Sequence, residues 1–520
     1  MRYIGPFFRM NSLSKNDIEG QLFFLSKEAM KTIVLNSKCG IISSFRSSKK
    51  SSHKDNISIL NDFSPLTCIY KKSDSVFIHS KSSLGFDESS FRKDINPTTN
   101  ALMTLSLLEL ADYYSNYKLS NRSQESFEKA YFTICENQLE FFSEHLRNAE
   151  GVFVEKKNIS DNNSKGFNLI EKNKKFNFPD QAFMMNAYYL FAKLNEDNPV
   201  STEYKNFSLQ ILDMFIDFNE ALYNLSFDDG CKVLFCFNLF YNLSNEEKCK
   251  SLIIDLSDFL INKFDEKDYY SDELDNCCLL ALTLTDSYKH TDIITFKEKS
   301  NEIYEKLESL YDDNKGIFLK LNDKKEIKYT SLEIGLYFLA LLLHSTDSDN
   351  SIEYKNMIST LYKKYFISSG LICSWPEAPT LDEIERYRGL SLKSQDMLDE
   401  SYFRMPEVPT PTSSGFAPIF AKNIVYSKKK DNFTRKKDTF DSNKNMFLYF
   451  IIIHYLKNDI VDDMNFKAYA IEESNNNEDN IENDNESIIT KNDCNTETIK
   501  TKPAAITNPS PKRKSKNNKI

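Results

Sequence analysis

Residues 178–222 read FPDQAFMMNAYYLFAKLNEDNPVSTEYKNFSLQILDMFIDFNEAL, and they hold two helical patterns of different kinds. The first, from about Asp180 to Leu194, carries no charged residue between Gln181 and Ala192 and is apolar almost all round. The second, near 203–222, interleaves charged residues among Ile, Leu, Phe and Tyr at helical spacing. A helix that is apolar all round must be covered on every side, whereas an amphipathic one can face solvent. The pair therefore predicts an inner helix shielded by an outer one.

The same pairing recurs along the chain. Further apolar helices are expected to start near Asn100 (ALMTLSLLELADYY), Asp229 (GCKVLFCFNLFYNL), Asp272 (ELDNCCLLALTLTD), Thr330 (SLEIGLYFLALLLH) and Asp441 (SNKNMFLYFIIIHYL). Amphipathic segments near 123–148, 246–264, 292–311 and 352–367 alternate with them. A helix over 15–34 supplies the missing outer member: Ser14 and Asp17 form a capping pair, and Ile18, Leu22, Leu25 and Ala29 share a face. Six inner and six outer helices make an all-α fold, an (α/α)6 toroid with two concentric layers, against which an open solenoid is the competing geometry. Gly151-Val152-Phe153-Val154, Gly316-Ile317-Phe318-Leu319 and Gly370-Leu371-Ile372-Cys373 each follow an outer helix. Their glycines end the helix ahead of a short extended segment, so short β-hairpin connections are expected.

Over about 98–458 the chain resembles the six-hairpin glycosidase group of alpha/alpha toroids. The likeness rests on the Gly-apolar-Phe connections, on Phe178-Pro179-Asp180-Gln181-Ala182 at the start of an inner helix, and on the six-fold count. It implies a carbohydrate-binding cavity at one mouth of the ring and an inverting acid/base pair of carboxylates on the loops around it. Ring closure would gather the acids at inner-helix starts: Asp180, Asp228-Asp229, Asp272-Glu273, Glu333 and Asp441. Glycosidic cleavage needs one carboxylic acid to protonate the leaving oxygen and one carboxylate to activate water or attack the sugar. Asp180, Glu333, Glu377 and Asp441 are the catalytic candidates, and spacing does not assign the pair. Trp375, Gln181, Asp229 and Glu273 are the substrate-binding candidates.

Each candidate also has a structural reading. Thr330 with Glu333 fits a capping box, Asp441 can cap its own helix, and Asp180 after Pro179 suits a helix's positive end. Trp375 lies in a Pro-bounded loop, where an indole either stacks on a sugar or plugs the top of the barrel. Tyr188, Tyr189, Phe235, Phe237, Tyr337, Tyr449 and Phe450 read first as core.

Composition narrows the function classes. The chain has 520 residues with 66 Lys+Arg and 76 Asp+Glu, a net charge of −10 that disfavours a general polyanion-binding surface. It lacks nucleic-acid module signatures, so no specific nucleic acid is expected as a partner. It has no apolar run of membrane-spanning length and no secretory leader pattern, and the expectation is a soluble cytoplasmic protein without membrane insertion. Ten cysteines without a CxxC pair read as reduced core thiols. Six scattered histidines without HExxH predict no catalytic metal, and the absence of GxGxxG, GxxxxGK[ST] and GxSxG predicts no cofactor and no serine-hydrolase elbow.

The expected organisation is an N-terminal region, 1–97, with a helix, a Ser-rich stretch and a hairpin through 66–70 and 75–79. The toroid follows at 98–462, including a roof insertion at 368–440. A tail at 463–520 is acidic over 471–490 and basic toward its tip. The tail reads as solvated, or as the contact for a protein partner. The function so implied is hydrolysis of a glycosidic bond in a carbohydrate or glycan; the alternative is a non-catalytic toroid that binds a protein or glycan.

Overall fold

The helices, in chain order, are α1 (Lys15–Asn36), α2 (Pro97–Ser115), α3 (Arg122–His145), α4 (Phe178–Leu194), α5 (Ser201–Asp217), the single turn α6 (Asn219–Leu222), α7 (Phe227–Ser244), α8 (Glu247–Asp265), α9 (Leu274–Thr291), α10 (Ile294–Ser309), α11 (Ser331–His344), α12 (Ile352–Tyr362) and α13 (442–462). The computed structural model describes residues 2–3, 13–43, 58–78, 84–116, 122–160, 166–173, 175–320, 325–344, 352–377, 409–410, 415–435 and 437–462. The described residues belong to one compact unit, and the tail expected at 463–520 lies outside the described residues.

The two kinds of helix take the two places that their patterns demand. In α4 every residue from Pro179 to Ala192 is buried, whereas α5 buries only Ser201, Tyr204, Ser208, Ile211, Leu212 and Phe215, one stripe at helical spacing. The inner helices pack side by side in the order α2, α4, α7, α9, α11, and the outer helices α3, α5, α8, α10 and α12 each cover the inner helix before them.

α13 closes the inner ring. Against α11 it comes so near that a Cβ on Gly335 would lie 2.4 Å from Leu448 Cδ2. Against α2, Lys457 Nζ donates to both the Glu109 and Asp112 carboxylates, and His454 Nδ1 lies 2.9 Å from Glu109 Oε1. The outer ring closes where α1 meets α12, with the Tyr362 hydroxyl donating to Gln21 Oε1 at 2.8 Å. The arrangement is thus an (α/α)6 toroid with α1 as its sixth outer member.

Aromatic side chains fill the middle of the ring. Phe183 of α4, Phe235 of α7, and Phe447 and Phe450 of α13 meet with ring centroids 6.1–6.3 Å apart, all of them buried. Burial of each such ring contributes about 1.5–3 kcal/mol. Tyr188 and Tyr337 point the other way: their hydroxyls donate to the carbonyls of Leu139 at 2.7 Å and Leu307 at 2.9 Å, tying inner helices to outer ones. A buried hydroxyl needs such an acceptor, because leaving it unpaired costs about 1–3 kcal/mol.

Short strands form the connections. Gly151, Gly316 and Gly370 have φ of 87°, 66° and 75°, a left-handed conformation that glycine adopts with little strain. Gly151 and Gly316 do not end α3 and α10 as expected: they close turns beyond the helix ends, with their N–H groups donating to the carbonyls of Asn148 and Asp312, whereas α7 and α9 end on left-handed Asn245 and Asp292. Tyr311–Asp312 pairs with Ile317–Phe318, and Glu326–Thr330 pairs with Asn423–Ser427, which pairs in turn with Asn432–Arg435. Of the roof expected at 368–440, residues 378–408, 411–414 and 436 lie outside the described residues.

The hairpin expected through 66–70 and 75–79 does not form. Leu66–Ile69 pairs with Gly40–Ile42, directly after α1, and Lys72–Asp74 pairs with Thr439–Asp441, directly before α13. All four residues of Leu66–Ile69 are buried. Tertiary burial, absent from local propensity, chose the partner.

Nine of the ten cysteines are described, and all are buried and free. Burial pushes their thiols up, so they stay protonated. Among the described residues no group of three His, Cys, Asp or Glu could hold a metal ion, and no helix is long and apolar enough to cross a membrane.

Candidate active site at the mouth of the ring

The inner helices begin at one end of the ring, and their first turns bring chain segments more than 200 residues apart to a common mouth. α9 presents Asp275, α11 presents Glu333, and α13 presents Lys444 just after Asp441. Burial pushes the Asp275 carboxyl up to about 6, and the Glu333 and Asp228 carboxylates add to the rise against Lys444. Burial also lowers Lys444, although Asp275, Asp441 and Glu333 all oppose that shift. Yet neither Asp275 nor Lys444 makes an ion pair among the described residues. Two groups of opposite sign thus act on each other across a gap, each biased toward its neutral form.

The neighbouring carboxylates are held differently. Glu333 Oε2 accepts the Thr330 N–H at 2.7 Å while its own N–H donates to Thr330 Oγ1 at 3.2 Å, a capping box, and Lys320 pairs with the other oxygen. Asp441, 6% exposed, lies 3.9 Å from both Lys72 and Lys422. Asp228 pairs with Lys232 at 2.6 Å. These are carboxylates with cations beside them, whereas Asp275 has none in contact.

The remaining candidates are spread along the rim. Asp180 is buried and takes both the N–H and the hydroxyl of Thr98 on Oδ1, at 2.9 and 2.6 Å, so the first turn of α4 caps that of α2. Burial raises its carboxyl to about 6, with the Thr98 bonds opposing. Gln181 is saturated by backbone: Oε1 accepts from Phe153 N–H at 3.0 Å, and Nε2 donates to the Phe153 carbonyl at 2.8 Å. This amide pair pins the Gly151 connection to α4. Asp229 caps α7 with Ser226, at 3.1 Å from Ser226 Oγ to the Asp229 N–H, and Glu273 precedes α9 with Asn276 and Lys267 on its carboxylate, at 3.0 and 3.3 Å. Glu377 is exposed. Trp375 is 6% exposed, and its indole N–H meets no acceptor among the described residues. Glu333 and Asp441 therefore share the surroundings of Lys444, while Asp180, Gln181, Asp229 and Glu273 each serve their own helix start.

Asp275 and Lys444 went unnoticed in the sequence, although each carried a signal. Asp275 stands two residues after Glu273 in the ELDNCC segment, where the flanking Asp272-Glu273 drew attention. Lys444 opens an inner helix, where a cation opposes the helix dipole and so calls for another reason to be there.

No protein-family model matches the chain, and no curated protein matches it. Solved structures are similar in fold at low identity. D-mannose isomerase is 8% identical, with 86% of this chain and 100% of that one covered and a TM-score of 0.47. The endoglucanase of the termite Nasutitermes takasagoensis is 11% identical over 86% and 99%, with a TM-score of 0.43. Cellobiose 2-epimerase from Bacillus thermoamylovorans is 10% identical over 58% and 81%, with a TM-score of 0.40. These likenesses concern the course of the chain and carry nothing about chemistry.

Proposed function

We propose that the chain is a carbohydrate-active enzyme that hydrolyses a glycosidic bond at the mouth of the ring. The observation that supports it is the Asp275 carboxyl, without an ion pair among the described residues and raised to about 6, with Glu333 and Lys444 acting on it across the mouth and Asp441 acting on the same Lys444. In this reading Asp275 is the general acid and gives its proton to the leaving glycosidic oxygen as the C–O bond breaks. Asp441, a carboxylate beside Lys72 and Lys422, is the general base: it takes a proton from the water whose oxygen bonds to the anomeric carbon. Glu333, fixed by Thr330 and Lys320, and Lys444 set the field at the acid. Asp180, Gln181, Asp229 and Glu273 hold the rim in place, and Trp375 and Glu377 lie on the loop beyond it.

Purified protein incubated with a varied glycan panel should release new reducing ends. Asp275→Asn should lower kcat/KM by about 100-fold or more, the usual contribution of a positioned acid. Because the acid must be protonated, the wild-type rate should fall about tenfold per pH unit above roughly 6. A rate that Asp275→Asn leaves unchanged would remove the assignment.

A second reading, a non-catalytic toroid that binds a glycan or protein, draws support from the aromatic filling of the axis by Phe183, Phe235, Phe447 and Phe450. It leads to binding without turnover in the same panel.

A further inference from the structure

The mouth is divided in charge. On the side of α7 and α9 stand Asp228, Asp229, Asp272 and Glu273, matched among the described residues by Lys232 on Asp228 and Lys267 on Glu273. On the side of α11, α13 and the Lys72–Asp74 strand the balance is reversed, with Lys72, Lys320, Lys422 and Lys444 set against Asp441 and Glu333. Lys320 is taken up by Glu333, and Asp94 nearby is matched by Arg92 and Lys172. Lys72 and Lys422 are left to share Asp441, each at 3.9 Å, and Lys444 makes no ion pair among the described residues. On a chain of net charge −10 this basic side is a local exception, and it attracts anions to one place.

The lysines crowd one another. Burial lowers the Lys72 amine against the pull of Asp441, and Lys422, Arg92 and Lys71 add to the fall. Burial lowers Lys444 as well, and Lys422 adds to it. Cations held together in a partly buried place favour an anion among them. Lys444 stands one turn before Phe447 on the same face of α13, and Phe447 meets Phe183 in the aromatic filling of the axis, so this lysine belongs to the floor of the mouth. Lys422 is the more open of the group, with 43% of its side chain exposed.

The chemistry supplies a separate reason. Glycosidic cleavage passes through an oxocarbenium-like transition state with positive charge at the anomeric carbon. Lysines beside a neutral sugar would oppose that charge. A sugar that brings a negative group cancels the opposition and turns the same lysines into binding groups.

We infer that the substrate at the mouth is an anionic glycan, whose carboxylate, sulfate or phosphate group is held by Lys444 and Lys422 with Lys72 beside them, while the bond to be cleaved lies toward Asp275 on α9. The inference rests on the reading of the mouth as a glycan-cleaving site and adds the class of glycan.

The test has a binding arm and a turnover arm. In calorimetric titration of the full chain carrying Asp275→Asn, trigalacturonate is compared with its methyl ester, and cellobiose sulfate and cellobiose phosphate with cellobiose. At least one anion should bind about tenfold or more tightly than its uncharged counterpart, and the pair with the largest difference identifies the anionic group. The preference should shrink as salt rises from about 0.05 to 0.5 M, because exposed charges are screened. Lys422→Gln should remove most of it, and Lys422→Arg, which keeps the charge, should restore it. In the turnover arm the wild type should release reducing ends faster from polyuronates or from sulfated or phosphorylated glycans than from neutral ones, and Lys422→Gln should raise KM for the acidic glycan more than it lowers kcat. Cleavage of neutral glycans but not of acidic ones would overturn this inference and leave the hydrolase reading standing. Acidic glycans bound with the expected preference but never cleaved would overturn the hydrolase reading and leave the anionic class standing. The inference also falls if none of the three anions is preferred to its counterpart, or if Lys422→Gln and Lys444→Gln weaken acidic and neutral glycans alike.

Discussion

Lys457 is buried between two carboxylates, and burial would drive it toward neutrality were it not for Glu109 and Asp112, which hold it charged. Burial likewise opposes ionisation of Glu109, but Lys457 and His454 outweigh it and hold the carboxyl down at about 2. Lys457→Met strands a buried carboxylate and should cost about 3–5 kcal/mol, read by denaturant unfolding at pH 7. The wild-type pair is fully stabilising above about pH 4.5 and should lose its contribution as pH falls toward 2. Asp275 has the opposite sign. Its folded value of about 6 exceeds the ordinary 3.8, so the folded chain binds the extra proton, and stability falls as pH rises through that window. Asp275→Asn should therefore be close to the wild type near pH 4 and more stable at pH 7 by up to about 3 kcal/mol, in thermal melts at the two pH values. A residue whose removal stabilises the fold but stops turnover is one held for function. Glu333 and Asp441, which act on Lys444, could be singled out in the sequence because an acid at an inner-helix start is a local signal. Asp275 and Lys444 were passed over because what sets them apart, charge without an ion pair among the described residues, arises only when α9, α11 and α13 are assembled.

At the scale of elements, the twelve helical segments of the two rings were legible to within a few residues, because the contrast between all-round and one-sided apolar patterns is itself a statement of layer. Strand pairing was not: Leu66–Ile69 took Gly40–Ile42 as its partner because α1 delivers that segment beside it. The site depends on these joints. A Cβ on Gly40 would sit 1.9 Å from the Cys68 carbonyl oxygen, a backbone atom that no rotamer change can move. Gly40→Ala should cost about 3 kcal/mol or more by breaking that strand pair. Gly335→Ala meets only the tip of Leu448, which can turn aside, so a loss of about 1–3 kcal/mol is expected. Because Gly335 sets the distance of α11 from α13, it also sets that of Glu333 from Lys444. Gly335→Ala should lower turnover beyond its effect on stability, measured as kcat below the melting range.

For the whole molecule, one continuous apolar core runs through every described inner helix and the outer stripes against them. A chain ending at residue 441 would leave α2 and α11 with uncovered apolar flanks, and in calorimetry it should lack the cooperative thermal transition expected of the full chain. Closure by α13 also has a meaning in time. Glu109 and Lys457 are 348 positions apart, so at roughly 5–20 residues per second a ribosome takes about 17–70 s to make the second after the first. Throughout that interval the inner helices made so far lack the one that completes the circle, and their apolar flanks stay open to other nascent chains. The ring is a shape that a growing polypeptide can approach but not finish, and its yield in the cell should follow the supply of chaperone that shelters those flanks until α13 emerges.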